Sequence, residues 1–433
     1  MLQSMFSGIT GLQANQTEMD VIGNNIANIN TVGFKAGRAR FAEQFAQLLQ
    51  AASPGTGGLG GTNPMQVGMG TEVGSIENYF TQGTLQDTGL GTDLAIQGDG
   101  FFILGGGQGL QYSRAGAFSF DGQGRLVDPG TGLVVQGYMA DSTGAIAAGT
   151  ALGDLRIPLD TTAPARATTS LVLHGNLNSD PTDTNPVTST FSVYDSLGQK
   201  HTLTLTFAKT MDTSGTTPVP KPNEWDVTVT SSDGTVDTTD DGKCHLVFKS
   251  DGTLDLGTTG GSTFDALKIT GLGGAADLSI DFNPSAAGAV NAFSGLTQTA
   301  GDSTAFAFSQ DGYSSGTLTR TSVDSQGHVV GAFSNGITRN LGQVALARFA
   351  NDAGLTKSGQ NGWEESLNSG QAVVGQAGIG SFGTISAGAL EGSNVDLAQE
   401  FTDLIVAQRG FQANARVITT GDEMLTEVVN IKR

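Results

Sequence analysis

Gly312-Tyr313-Ser314-Ser315-Gly316 has the G-x-S-x-G spelling that lifts a nucleophilic serine onto a sharp strand-to-helix turn. That chemistry needs a helix after the serine. Thr317-Leu318-Thr319-Arg320-Thr321 follows instead, an alternating run that predicts a strand. Gly55-Thr56-Gly57-Gly58-Leu59-Gly60 spells a dinucleotide fingerprint, but no predicted strand precedes it and no helix follows. The acidic run Asp237-Thr238-Thr239-Asp240-Asp241-Gly242 lacks the alternation and the terminal Glu of a calcium loop and reads as a solvated turn. His174, His201, His245 and His328 are scattered, with no pair at metal-ligand spacing. Asp195, Ser196 and His201 fall beside a tight turn, a place that seldom owns a water-excluding pocket. The lone Cys244 forms neither an internal disulfide nor a multi-cysteine zinc site, and reads as a small buried apolar residue. The expectation is a protein that is not an enzyme and has no cofactor and no metal.

With chemistry set aside, the elements that remain point to assembly. Apolar side chains recur every seven residues at both ends of the chain and almost nowhere between. Leu397, Leu404, Phe411, Ile418 and Leu425 form one column near the C-terminus. Phe401, Gln408, Ala415, Asp422 and Val429 form its expected companion. Near the N-terminus Met5, Leu12, Met19 and Ile26 repeat likewise, flanked by Leu2, Ile9 and Gln16. Neither stretch contains proline. Because the rest of the chain lies between them, the two helices should dock antiparallel. With polar Gln16, Gln408 and Asp422 in their seams, they gain little from each other alone and need neighbouring copies.

The first helix should run from about Leu2 to Asn28. Asn24, Asn25, Asn28 and Asn30 accumulate there before Gly33 and Phe34, either ending the helix or bonding to neighbouring subunits. The second should start near Ser393, with its hydroxyl as cap and Asp396 reaching back. Residues 38–50 look briefly helical, with Phe41, Phe45, Leu48 and Leu49 on one side, and 53–63 form a turn-rich connector.

The middle is different. Its 433-residue chain carries 64 glycines and only 14% charged residues, which suits short strands, many turns and two to four domains. Asp-x-x-Gly recurs at Asp121–Gly124, Asp141–Gly144, Asp195–Gly198 and Asp324–Gly327, each expected to reverse a hairpin. Leu203, Leu205 and Phe207 alternate with threonines, as do Trp225, Val227 and Val229 with Asp226, Thr228 and Thr230, which predicts half-buried antiparallel strands. Similar turn units before residue 150 and after 310 suggest one β domain interrupted by another. The expected fold is α+β multidomain: antiparallel, coiled-coil-like terminal helices plus nested all-β domains, the outer inserted into the inner. A formal charge of −20 opposes nucleic acid and anionic lipid as partners. Residues 1–34 contain no Lys or Arg, so no cleaved secretory signal is expected, and no segment is apolar enough for membrane insertion.

Several stretches resemble the rod/hook axial protein family of the bacterial flagellum, most closely its hook members. They are residues 7–35, from Ser-Gly-Ile-Thr through Asn-Asn-Ile-Ala-Asn to Gly-Phe-Lys; Phe80-Thr81-Gln82-Gly83; Asp93 to Phe102; Ser334-Asn335-Gly336; and Gln408 to Arg416. Over 160–310 the likeness rests on Asp195-Ser196-Leu197-Gly198 and the strand after it. The resemblance implies terminal helices (1–34 and 393–433) lining a tube, a connector (35–72 and 389–392), an inner β domain (73–155 and 311–388) and an outer one (156–310). It implies a helical homopolymer, the flagellar hook, acting as a flexible universal joint. Implied partners are further copies, rod and hook-associated junction proteins, and the hook cap and export apparatus during assembly. The implied location is the extracellular hook, reached without a cleaved signal. The alternatives are a distal rod subunit, which the large 150–310 insertion disfavours, and a secreted β-rich adhesin or tail-tube protein, which would not predict heptads at both termini.

Overall fold

The computed structural model describes residues 2–52, 54, 61–106, 109–147, 151–157, 160–212, 214, 218–231, 237–238, 243–255, 266–270, 278–282 and 295–431. The Gly55–Gly60 run, part of the 53–63 connector, and residues 239–242 of the acidic run lie outside them. Two helices bracket a β-rich middle: α1 (Leu2–Ala27) and α2 (Leu397–Ile431). The chain divides into two compact units, one of Met1–Leu159, Arg320–Gly331 and Thr338–Arg433, the other of Asp160–Thr319 and Ala332–Ile337.

In the first unit the strand Phe101–Gly105 is buried along its length and pairs antiparallel with Leu110–Ser113, Val134–Met139 and Thr338–Arg348. Aromatic residues fill one side, with Phe101 edge-on to Phe80 and Phe349, and Phe80 against Trp363. Leu94–Gln97 pairs with Thr384–Ala387, and Leu85–Asp87 with Ala389–Glu391, so the chain just before α2 is tied to the chain well after α1.

The second unit is a sandwich. The strands Val187–Tyr194, Lys200–Asp212, Val219–Ser231 and Lys243–Val247 form an antiparallel meander. Ser170–Asn178 lies in a facing sheet beside Leu278–Asp281, Leu296–Thr299 and Phe306–Gln310. The period of two decides the core: Leu203, Leu205, Phe207, Trp225 and Val227 meet Leu171, Leu173, Ile280 and Phe282 inside, while the threonines between them stay at the surface. Cys244 is part of that core.

The Asp-x-x-Gly loops share one geometry. Asp121 Oδ1 accepts from the backbone N–H of Gln123 and Arg125, Asp141 Oδ1 from Thr143 and Ala145, Asp195 Oδ1 from Leu197 and Gln199, and Asp324 Oδ1 from Gln326 and His328. The closing glycine takes a φ of 75° to 85° in each, from Gly124 to Gly144. The loop at Asp121 joins paired strands Ser119–Phe120 and Leu126–Val127, and that at Asp195 joins Val187–Tyr194 to Lys200–Asp212.

Two local expectations are corrected. Residues 38–50 are not helical: Gly37–Glu43 pairs with Thr71–Asn78, and Ala46–Gln50 with Met65–Gly68. Their helix-like apolar spacing describes no buried helix face, because Phe41, Phe45, Leu48 and Leu49 all remain exposed; the ladder with residues 65–78 supplies the backbone bonds instead. The cap of α2 is Asp396, whose Oδ1 accepts from Ala398 N at 2.9 Å and Gln399 N at 3.3 Å. Ser393 Oγ bonds Val395 N, one turn too early to cap the helix.

Candidate assembly interface

The helices run antiparallel along a seam whose partner numbers sum to about 425. Gly8 lies against Ile418 and the Asn414 carbonyl, Gly11 against the Asn414 amide, Gly410 against Asn15, and Gly421 against Met5. A methyl added at Gly11 would stand 2.5 Å from Asn414 Nδ2, and one at Gly421 3.0 Å from Met5 Cγ. Small residues at these steps let the helices approach closely. At the other end Asn25 Nδ2 donates to Glu400 Oε1 at 3.0 Å.

The expected heptad residues divide accordingly. Met5, Leu12, Met19, Ile26, Leu404, Ile418 and Leu425 are half-buried, with Met5 and Ile418 in the seam against Gly421 and Gly8. Its middle belongs to Gly8, Gly11, Asn15, Ile22 and Asn25 on α1 and to Ala407, Gly410, Asn414 and Gly421 on α2, one or a few positions round each helix from the predicted columns. Gln16, Gln408 and Asp422 are exposed rather than in the seam. Ile9, Leu397, Phe401, Phe411 and Val429 are exposed too, Val429 by 67%. Apolar columns alone could not reveal this, because glycine and alanine carry no signal in a hydrophobic pattern.

A flank of α2 carries a second apolar stripe. Val406, Ala413, Val417, Met424, Val428 and Ile431 follow one another at steps of seven, four, seven, four and three, and all are exposed. On a helix of 3.6 residues per turn this stripe lies roughly a quarter turn from the packed seam. Phe6 on α1 and Phe45, Leu48, Leu49, Met65, Val67 and Met69 on and beside the hairpin Ala46–Gln50/Met65–Gly68 are likewise uncovered.

The helix roots are locked by polar residues. Asn25 is buried; its Nδ2 donates to Gly37 O at 2.8 Å and its Oδ1 accepts from Gly37 N at 3.0 Å, so it holds its own chain rather than a neighbour. Asn24 and Asn28 bond each other and end the helix locally, whereas Asn30 is exposed. Gly33 has a φ of 69°, and a methyl there would meet Ala115 N at 2.5 Å, a close approach of backbone to backbone. Phe34 is buried beside it.

Sequence reasoning missed the ion group beneath. Lys35 Nζ meets Glu391 Oε1 at 2.7 Å, Arg114 Nη1 lies 3.6 Å from Oε2, and Gly83 N donates to Oε1 at 2.9 Å. All three charged side chains are buried, and burial holds Lys35 and Arg114 below their usual ranges against the pull of Glu391. Asn394 adds a clasp, accepting from Ala36 N and donating to Tyr79 O. The one sequence signal was a Lys beside the Gly-Phe pair; its partner stands 356 residues away.

In the seam itself, burial followed by repulsion from Asp403 raises Glu18, and burial and then the same repulsion raise Glu400 against the Asn25 bond. Gly312–Gly316 runs directly into the strand Gly316–Val323, and Ser196 is exposed while Asp195 and His201 are buried 3.7 Å apart. Among the described residues no three His, Cys, Asp or Glu side chains gather as a metal site, and no helix is long and apolar enough to cross a membrane.

Residues 5–35 match the family described as flagella basal body rod protein, and 95–170 the flagellar hook protein FlgE/F/G D1 domain. Residues 158–313 match the flagellar basal body protein FlaE D2 domain, and 386–431 the flagellar basal body rod FlgEFG protein C-terminal family. The flagellar hook proteins FlgE of Treponema pallidum and Borreliella burgdorferi are each 40% identical to this chain across the full length of both partners. The flagellar basal-body rod protein FlgG of Bacillus subtilis is 30% identical, also across both full lengths. A crystal structure of Helicobacter pylori flagellar hook protein FlgE2 shares the fold with a TM-score of 0.52 and 17% identity, covering 71% of this chain and all of that one.

Paired terminal helices with an interrupted β middle, and these matches from end to end, define a rod-and-hook axial protein of the bacterial flagellum. The chain belongs to the flagellar hook protein family, FlgE. That family is structural, and its members are components of the flagellum.

Proposed function

We propose that copies of this chain polymerise through their helical ends into the hollow tube of the flagellar hook, a universal joint carrying motor torque from rod to filament. The observation that carries this is the uncovered stripe Val406, Ala413, Val417, Met424, Val428 and Ile431, on a helix whose other face is already used. Each large apolar side chain covered by a neighbour would contribute about 1.5–3 kcal/mol, enough over several positions to offset the entropy of ordering two long helices. The exposed hairpin at 46–50 and 65–68 adds a second surface for a further copy.

On this reading, rod and hook-associated junction proteins contact the two ends of the tube, and the hook cap and export apparatus contact the subunit during assembly. On the same reading export proceeds without a cleaved signal. Residues 1–34 and 393–433 line the tube, 35–72 and 389–392 connect, and inner (73–155, 311–388) and outer (156–310) β domains follow. The outer domain's polar, weakly charged surface suits contacts that exchange as the tube bends.

Electron microscopy of the purified chain tests this. Short curved tubes are expected from the parent, and none from Val417→Asp or Met424→Asp variants whose β domains stay folded. Normal tubes from those variants would overturn it. A rod subunit is the second reading, favoured by the full-length FlgG match; straight, rigid tubes would select it.

A further inference from the structure

The asparagine-rich end of α1 borders a cavity of roughly 190 Å³ that the hook reading leaves unused. Its opposite wall is the turn between strands Thr356–Gly359 and Gly362–Glu364, in which Gln360 and Asn361 take φ values of 50° and 60°. Two consecutive left-handed residues make the tight reversal suited to a two-residue hairpin. The turn is fastened on both sides: Asn361 Nδ2 donates to Val32 O at 2.9 Å, and its carbonyl accepts from Ser113 Oγ at 3.0 Å. This fixes Lys357 opposite Phe34.

The ammonium of Lys357 lies 5.4 Å from the ring centres of both Phe34 and Trp363. No Asp or Glu lines the cavity. The other ammonium at its wall, Lys35, is already committed to Glu391 and to Thr81 O. Lys357 has no carboxylate partner among the described residues, and the buried indole N–H of Trp363 has no acceptor among them. Lys357 as a whole is exposed, and partial desolvation of its ammonium holds it below the usual lysine range. Two aromatic faces steady a cation without neutralising it, so the cavity presents uncompensated positive charge. It does so in a chain with 41 acidic and 21 basic residues.

We propose that this cavity receives a carboxylate side chain from a second copy of the chain, making Lys357 an assembly contact distinct from the helix stripe. The proposal rests on the polymerisation reading. Charge complementarity selects the occupant: Asp422, Glu423 and Glu427 are exposed on α2 with no cation paired to them among the described residues, on a helix that assembly must cover.

Carbodiimide coupling, which joins a lysine amine to a carboxylate in direct contact, tests it on tubes grown from equal parts of light and heavy nitrogen-labelled chain. Peptides linking Lys357 to an Asp or Glu of the oppositely labelled chain are expected in tubes and not in free chain. Lys357 left uncoupled while other lysines react, or linked only within one label, would overturn the proposal. In parallel, Lys357→Met should raise the critical concentration for polymerisation about tenfold and Lys357→Arg much less, both with an unchanged near-ultraviolet spectrum. A Lys357→Met chain that polymerises like the parent would sink this contact alone; a parent chain that forms no tubes would sink the polymerisation reading beneath it.

Discussion

The sandwich unit and the helical end solve the same problem in opposite ways. Across residues 200–210 and 224–230 every second side chain goes inward, and Leu203, Leu205, Phe207 and Val227 are wholly buried. In α2, 35 residues long, only Ala407 and Gly421 are buried, while Ile405, Val406, Val417, Met424 and Val428 face solvent. The sandwich carries its own cover. The helical end spends its small residues on one close seam and leaves many of its large ones uncovered, a sign that the free subunit is not the helices' final environment.

Substitutions can break that contrast. Trp225→Ala should lower the unfolding free energy of the sandwich by about 3 to 5 kcal/mol, read by denaturant titration. Val417→Asp should change the free chain by less than about 0.5 kcal/mol while abolishing tubes. Similar losses of monomer stability from both would erase the distinction. Next in size, Glu391→Gln leaves Lys35 and Arg114 buried without their carboxylate and should cost about 3 kcal/mol in the first unit; hydrogen exchange should show both helix roots loosening while the sandwich stays protected. Asp396→Ala removes the α2 cap and should cost about 1 kcal/mol, seen as faster exchange at Ala398 and Gln399.

The smallest effect, through pH, sharpens the contrast by its sign. Glu18 and Glu400 are raised in the folded chain by burial and then by Asp403, so their contribution is complete below the unfolded value and is lost as pH rises through the folded one. Asp121, Asp141 and Asp195 are lowered. Backbone N–H bonds hold down Asp121, the Thr143 hydroxyl and backbone hold down Asp141, and at Asp195 backbone and His201 bonds outweigh burial. Their contribution is present above the unfolded value and is lost as pH falls through the folded one. Acidification from neutrality to the ordinary glutamate range should therefore tighten the α1–α2 seam first. Only further acid should weaken the β turns. Circular dichroism at 222 nm beside near-ultraviolet signals checks the order, and simultaneous loss of both would count against it.

Legibility in the sequence followed the range of the interactions. The extent of α1, the alternation of the sandwich strands and the Asp-x-x-Gly loops depend on neighbours a few residues apart, and each could be read directly. Residues 38–50 misled because their apolar spacing mimics a helix while their partners lie at 65–78. Asn25 was noticed with its role left open between ending the helix and bonding a neighbour, since an amide clamp on Gly37 leaves no periodic trace. Lys35 and Glu391 are 356 positions apart, and nothing local marks either as half of a pair.

By itself the sequence determined the periods: 3.5 at the ends and two in the middle, with aspartate and glycine at the reversals, because side-chain polarity and turn chemistry are set by adjacent residues. Only the tertiary structure decided which helix face packs: the glycines at 8, 11, 410 and 421 set the close approach, with Met5 and Ile418 of the apolar columns against two of them. The physical reason is distance: helix backbones draw closest where side chains are absent, and the bulky residues displaced from that contact are left outward, where another copy can cover them.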